Sequence, residues 1–292
     1  MKKIKYEALL ILLVAMWGLS FSLTKPLLSK ISVFNFLTYR FLGGGLVLVL
    51  LLLFTKRLKI SKSLIKSASI SGILLFVAYY CHIEGLKHTS IAKNAFIVGS
   101  TVIFIPAVVY IKTKLKTEMM TWIQTIIAIS GLALITLTDI STINKGDVIT
   151  LIGTIIFAVY TVSIEENVKH YETDVFTAVQ LMAVGILSLI FTVTFESPSF
   201  NFSGSEWLTL AFLSFVLTGV FYYLLNGIQG KLSSSNVTII YTFEPFFAVL
   251  FGWLFLKEAV SSHVIIGGFL IVISVVLPYL FSSRKVGEFT NG

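Results

Sequence analysis

One acid followed by a proline, Glu244-Pro245, sits inside an apolar run from Ser233 to Glu258. An ionised carboxylate at membrane depth costs several kcal/mol, so Glu244 is expected to face protein or a wet cavity rather than lipid. Pro245 removes a backbone donor and weakens a helix where the acid sits. Glu244 can carry a proton or meet a cationic group of a solute. It can also accept hydrogen bonds from backbone freed by the proline, and this structural role is favoured. Arg40 is the one arginine inside an apolar run. It can attract an anionic group, pair with an acid such as Glu84, or snorkel to headgroups, and the last two are favoured. His82 is the one histidine well inside such a run and, with Glu84 two residues on in the last turns of the same run, can form a gate or proton relay. Residence near wet headgroups is the simpler explanation for Glu84, and it is favoured.

Aromatic and amide side chains supply the rest of the candidate chemistry. Trp17, Tyr79, Tyr80, Tyr160, Tyr222 and Tyr241 suit flat or cationic solutes, though helix packing and interface belts also use such residues. Asn94, Thr101 and Asn236 can bind solute or glue helices together. The candidate substrate-binding set is therefore Trp17, Tyr79, Tyr80, His82, Asn94, Thr101, Tyr160, Tyr222, Asn236 and Tyr241, with Glu244, Arg40 and Glu84 as coupling or structural charges. No catalytic set and no cofactor are expected. Cys81 is the single cysteine, the four histidines are scattered with no His-Glu-x-x-His, and Asp139, Asp147 and Asp174 lie apart near run ends, so no metal site is expected. No Gly-rich loop ending in Lys-Ser/Thr provides for direct ATP drive.

These residues must be held by membrane helices. Hydrophobic residues make up 56% of the 292-residue chain and charged residues 12%, against roughly a quarter charged in a soluble domain. Ten apolar segments follow one another: 6–28, 33–54, 66–87, 91–112, 119–138, 147–167, 174–195, 206–229, 235–256 and 262–281. Each is about 20 residues, enough to cross a hydrocarbon core as a helix. The first has no small-residue cleavage site and reads as a helix that stays. Placing the N-terminus inside puts fifteen basic residues on the inner side and six on the outer, so both termini are expected in the cytoplasm of a cell with this inner-membrane protein. The same placement explains the net charge of +8 without a nucleic-acid partner.

The chain also resembles itself. A shift of 140 pairs Trp17 with Phe157, Phe36 with Phe176, Arg40 with Gln180 and Gly45 with Gly185. A shift of 142 pairs Leu75 with Leu217, Tyr80 with Tyr222, Gly85 with Gly227, Asn94 with Asn236 and Phe104 with Phe246. Two five-helix halves, 1–140 and 141–292, follow. An odd number of crossings per half makes them an inverted repeat, with a site near the midplane that rocking opens to alternate sides.

The order and spacing of several motifs resemble the drug/metabolite transporter superfamily, in particular its ten-helix EamA-type members. They are Trp17-Gly18, Arg40, Ser90-Ile91-Ala92, Gly131, Glu244-Pro245 with Lys257-Glu258, and Gly267-Gly268. The fourth segment lacks a proline aligned with Pro245, since Pro106 lies three positions beyond the equivalent residue, so the two core helices need not bend alike. The resemblance implies helices 1, 3, 4, 6, 8 and 9 around a central cavity and transport of a small organic solute, often outward. The fold expected is thus all-α integral membrane, ten transmembrane helices as two inverted five-helix repeats. The function expected is secondary transport of an amino-acid-like, aromatic or cationic solute, with the proton as a candidate coupling ion and a monomer or homodimer as the unit. An intramembrane enzyme and a channel or scaffold are the alternatives.

Overall fold

Polar capping residues punctuate the apolar runs and set where each helix starts. A computed structural model describes residues 2–89, 91–114, 116–136, 143–256 and 262–288. Ser90, Asp139, Lys257 and Glu258, named above, lie outside them. The side chain of Ser61 accepts from Leu64 N, and that of Ser233 from Asn236 N. Asn144 with Asp147, and Ser203 with Glu206, form reciprocal capping boxes that satisfy two otherwise unpaired backbone donors each. Their Ser, Asn and acidic residues occupy the short polar breaks between runs, which fixes the helix boundaries.

The helical elements group into ten stretches: α1 (Lys2–Leu27), α2 (Val33–Phe54), α3 (Lys62–His88), α4 (Ile91–Gly99 and Thr101–Thr113), α5 (Met119–Thr136), α6 (Lys145–His170), α7 (Thr173–Phe195), α8 (Gly204–Gln229), α9 (Ser234–Tyr241 and Glu244–Leu256) and α10 (Ser262–Glu288). Among the described residues no strand occurs. Seven helices are long and apolar enough to cross a membrane, and α5 and α10 contain shorter apolar helices. Leucines such as Leu50, Leu51 and Leu53 of α2, and Ile186 and Ile190 of α7, are exposed. In a bilayer they meet acyl chains, so the chain is a multi-pass membrane protein.

Small residues decide which helices touch. α3 lies along α6 and α7, α5 along α10, α2 against α7 and α8, α4 against α6, and α1 against the second half of α9. On the α3–α6 seam a Cβ on Gly153 would fall 2.7 Å from Cys81 Cβ, and one on Gly85 would fall 2.8 Å from Gly146 O. Close approach of this kind supplies the packing that holds helices together where lipid removes the hydrophobic drive.

Two kinds of irregular backbone surround the centre. α4 is interrupted at Ser100 and α9 at Thr242 and Phe243. The two sites are repeat-related, since a shift of 142 pairs Ser100 with Thr242. Both hydroxyls bond back to a carbonyl three residues earlier, Ser100 to Ile97 O and Thr242 to Ile239 O, each at 2.6 Å. Such bonds compete with the helical ladder and bend it. The missing proline in α4 therefore does not leave that helix straight: the hydroxyl marks the break in both helices, and in α9 Pro245 joins it. The second irregularity is π-helical backbone at Thr38–Leu42 of α2 and Phe212–Val220 of α8, which face one another. Single π-helical turns often mark functional positions.

Candidate functional site

The breaks in α4 and α9 and the π-turn in α2 converge on one small chamber. Its walls come from α1 (Trp17, Ser20, Phe21, Thr24), α2 (Arg40), α3 (Tyr79, His82, Ile83, Leu86), α4 (Asn94, Val98) and α9 (Glu244), and it holds about 30 Å³. That is room for a water or two and for no organic solute, so the protein is closed around it.

Each polar wall residue is placed by its own element. Glu244 opens the second half of α9, in whose first turn Pro245 costs no hydrogen bond and a negative charge is favoured. Glu244 is 1% exposed. Gly18 lets α1 approach so closely that a Cβ there would fall 3.0 Å from Glu244 O. Arg40 is 2% exposed and does not snorkel. The π-turn aims it inward, where Nε donates to Thr218 Oγ1 at 3.0 Å and the guanidinium lies 5.3 Å from the Tyr79 ring centroid. Asn94 Nδ2 donates to His82 O at 3.1 Å and to Thr150 Oγ1 at 2.8 Å, tying α4 to α3 and α6. His82 sits against Gly153, with its Nε2 3.5 Å from Thr154 Oγ1.

Four buried polar atoms on these walls have no hydrogen-bond partner among the described residues: Thr24 Oγ1, Arg40 Nη2, Asn94 Oδ1 and Glu244 Oε1. A buried polar atom without a partner costs roughly 1–3 kcal/mol, more when charged. Four on one chamber are what a polar guest would repay.

The chamber is sealed at both ends. On the side away from the N-terminus, the Lys25 ammonium donates to Leu86 O and, at 2.9 Å, to Thr89 O. Thr89 Oγ1 donates to Asp147 at 2.6 Å, joining α1 and α3 to the start of α6. On the other side lies an aromatic layer. Trp17 is edge-on to Phe157 at 5.8 Å and to Tyr241 at 5.5 Å, and Phe157 meets Tyr160 at 5.4 Å. Tyr222 donates to Tyr79 at 3.0 Å, Gln180 to the Tyr160 hydroxyl at 2.7 Å, and Gln229 to the Tyr241 hydroxyl at 3.0 Å.

Of the residues singled out in the sequence, Trp17, Arg40, Tyr79, His82, Asn94 and Glu244 meet at the chamber. Tyr160, Tyr222 and Tyr241 form the layer beneath it. Tyr80 stacks on Phe34 at 4.8 Å, outside the chamber. Glu84 pairs with His88 at 3.0 Å and Lys87 at 3.7 Å at the end of α3, and not with Arg40. Thr101 bonds Val98 O within α4, and Asn236 lies in the first turn of α9, where its backbone N donates to the Ser233 cap. Ser20 and Thr24 were missed. They lie three and seven residues beyond Trp17, on the same helical face, and that spacing was the available signal. Among the described residues no group of three or more His, Cys, Asp or Glu could hold a metal.

The EamA-like transporter family profile matches the chain twice, over residues 4–137 and 144–280. The chain belongs to the EamA-like transporter family. Among its relatives, the uncharacterized transporter YoaV of Bacillus subtilis (strain 168) is 25% identical over 84% of this chain and 87% of its own length. An uncharacterized transporter of Archaeoglobus fulgidus is 26% identical over 96% of this chain and 87% of its own. A solved crystal structure superposes with a TM-score of 0.78 at 18% identity, covering 97% of this chain and 98% of its own, so it shares the fold. In this EamA-like chain Trp17-Gly18 and Glu244-Pro245 meet in space: the glycine admits α1 to the backbone of the glutamate.

Proposed function

We propose that this transporter is a secondary active carrier that exports a small organic metabolite by alternating access. In this reading residues 1–140 and 141–292 are inverted five-helix halves, both termini are cytoplasmic, and the protein works in the cell membrane. The solute is amino-acid-like, aromatic or cationic, binds in the chamber between Trp17, Arg40, Tyr79, His82, Asn94 and Glu244, and exchanges with a proton carried by Glu244. The observation that carries the reading is the closed chamber itself, with its unpartnered polar atoms in a bundle that lipid surrounds.

The two seals support the inverted arrangement. A shift of 140 pairs Lys25 with Glu165. Lys25, at the end of α1, binds the last carbonyls of α3. Glu165, near the end of α6, accepts from Ser234 N at 2.8 Å and Ser234 Oγ at 2.6 Å at the start of α9. A cation on a helix C-terminus and an anion on a helix N-terminus are each the favourable charge for that end. The same position in each half thus latches one side.

Purified protein in proteoliposomes is expected to show saturable flux and counterflow of its solute. Conversion of solute to a new compound would instead mark an enzyme, and unsaturable current a channel. The variant Glu244→Gln is expected to retain exchange but lose drive by a pH gradient. Unchanged pH dependence in that variant would reject the proton role.

A further inference from the structure

We infer that a groove between α2 and α8, on the outside of the bundle, is an acyl-chain site: one chain of a phospholipid lies in it and braces the π-turn that carries Arg40. The inference goes beyond the carrier reading and holds whichever solute the chamber takes. The groove holds about 300 Å³, the size of a small-ligand site. Tyr39, Leu42 and Leu46 form one wall and Trp207, Ala211 and Phe215 the other. Leu46, Trp207 and Phe215 are 44%, 38% and 45% exposed, so the groove opens toward lipid. Tyr39 meets Trp207 edge-on at 5.4 Å, and a Cβ on Gly44 would fall 2.8 Å from Ser214 O, so the two helices run parallel. Thr38 to Leu46 and Trp207 to Phe215 are each roughly 12 Å of helix, close to one leaflet of a hydrocarbon core about 30 Å thick. The upper end carries what an interface carries: Trp207 against Phe202 at 5.2 Å, and the Lys30–Glu206 ion pair. A chain hanging from that level follows the groove down to the midplane.

A polar occupant fits worse, because the hydroxyls on the walls are already spent. Thr38 Oγ1 donates to Phe34 O at 2.8 Å, and the Tyr39 hydroxyl to Ser199 O at 2.6 Å. Ser214 Oγ bonds Tyr39 O at 2.8 Å and Arg40 O at 3.1 Å. These last bonds tie the groove to the chamber. Ser214 binds two carbonyls of the α2 π-turn, and Thr218, one turn on, receives Arg40 Nε. Tyr39 and Leu42 flank Arg40 in that turn and face the groove, while Arg40 faces the chamber. π-helical backbone is rare and needs support from its surroundings. An empty groove would leave Tyr39 and Leu42 without partner atoms on one side. Reversion to a regular helix would rotate the turn and swing Arg40 away from Thr218.

The test uses the full-length protein in nanodiscs and has two readouts. The first is photolabelling by a phosphatidylcholine with a diazirine midway along one chain, mapped by mass spectrometry. Leu46 and Phe215 are expected to be labelled at least about fivefold more than Ile186 and Ile190 of α7, which are exposed to lipid but border no such groove. Ala211→Phe fills the groove and is expected to bring Leu46 and Phe215 down to the level of those two. Uniform labelling in the parent would mean bulk lipid only. Labelling of the groove below Ile186 and Ile190 would mean that a second copy covers it. Either result overturns the site. The second readout is hydrogen exchange at Arg40 Nε, followed by NMR of arginine-labelled protein, which contains only three arginines. Straight dioleoyl chains enter the groove, and methyl-branched diphytanoyl chains are too wide for it. Exchange in the parent is therefore expected to be at least about fivefold slower in dioleoyl than in diphytanoyl phosphatidylcholine. In Ala211→Phe, where a phenyl ring replaces the chain, the two lipids are expected to give equal, slow exchange. No lipid dependence in the parent, or an undiminished one in Ala211→Phe, overturns the bracing of Arg40.

Discussion

Arg40 and Glu244 line the same chamber from α2 and α9, each nearly fully buried and each with one side-chain polar atom that lacks a hydrogen-bond partner among the described residues. Their mutual attraction acts in a low dielectric and offsets part of the cost of burying both. Arg40→Met also removes the bond to Thr218 and leaves Glu244 without its counter-charge, so it is expected to lower stability by about 3–5 kcal/mol. Adding Glu244→Gln to that variant is expected to restore part of the loss. A double-mutant cycle on unfolding free energy measures the coupling, and strictly additive effects would mean the two charges do not sense each other. At this scale the sequence was half legible. The rarity of Arg40, His82 and Glu244 in apolar runs drew attention to them, because membrane burial makes such residues costly. Their partners were not legible. Arg40 meets Thr218 and not Glu84 because the π-helical turn rotates it inward, and no residue in Thr38–Leu42 announces that turn. Tyr80 and Tyr79 are adjacent, yet only Tyr79 lines the chamber, since neighbours on a helix point about 100° apart.

Helix boundaries were far more legible than helix shape. The apolar runs and the observed helical stretches agree closely, as with α2 over 33–54, because lipid tolerates no unpaired backbone and favours helix along each run. The interruptions at Ser100 and Thr242 were less visible, since a serine or threonine inside a membrane helix usually bonds back without breaking it. Pro245 pointed to the break in α9, whereas the break in α4 comes without an aligned proline. The crossing of α1 over α9 is the contact most sensitive to side-chain size. In Gly18→Ala the new Cβ would stand 2.9 Å from Phe247 Cβ and 3.0 Å from two backbone atoms of α9, which can yield only by moving the helix. A destabilisation of about 1–3 kcal/mol is expected. Gly204→Ala meets nothing within 4 Å and is expected to stay within about 0.5 kcal/mol of the parent. Thermal unfolding of both variants decides it, and equal midpoints would deny the close approach.

The whole bundle is closed on two sides by unlike means: an ammonium over helix carbonyls on one, an aromatic layer and a carboxylate over helix amides on the other. If the halves rock against each other, loosening one latch favours opening on that side and closure on the other, because the same helices cannot splay at both ends at once. Cys81 reports this without engineering. It is the single cysteine of the chain, it is 8% exposed, and it lies on the α3–α6 seam against Gly153. Lys25→Met releases Leu86 O and Thr89 O and so unties α1 from that seam. Maleimide labelling of Cys81 is expected to rise roughly tenfold, the population shift that about 1.4 kcal/mol of lost charge-assisted bonding would give. Glu165→Gln weakens the opposite latch and is expected to hold labelling at or below the parent rate. A rise in the Glu165 variant, or equal rates in both, would mean that the two ends open independently and that the latches are not parts of one rocking mechanism.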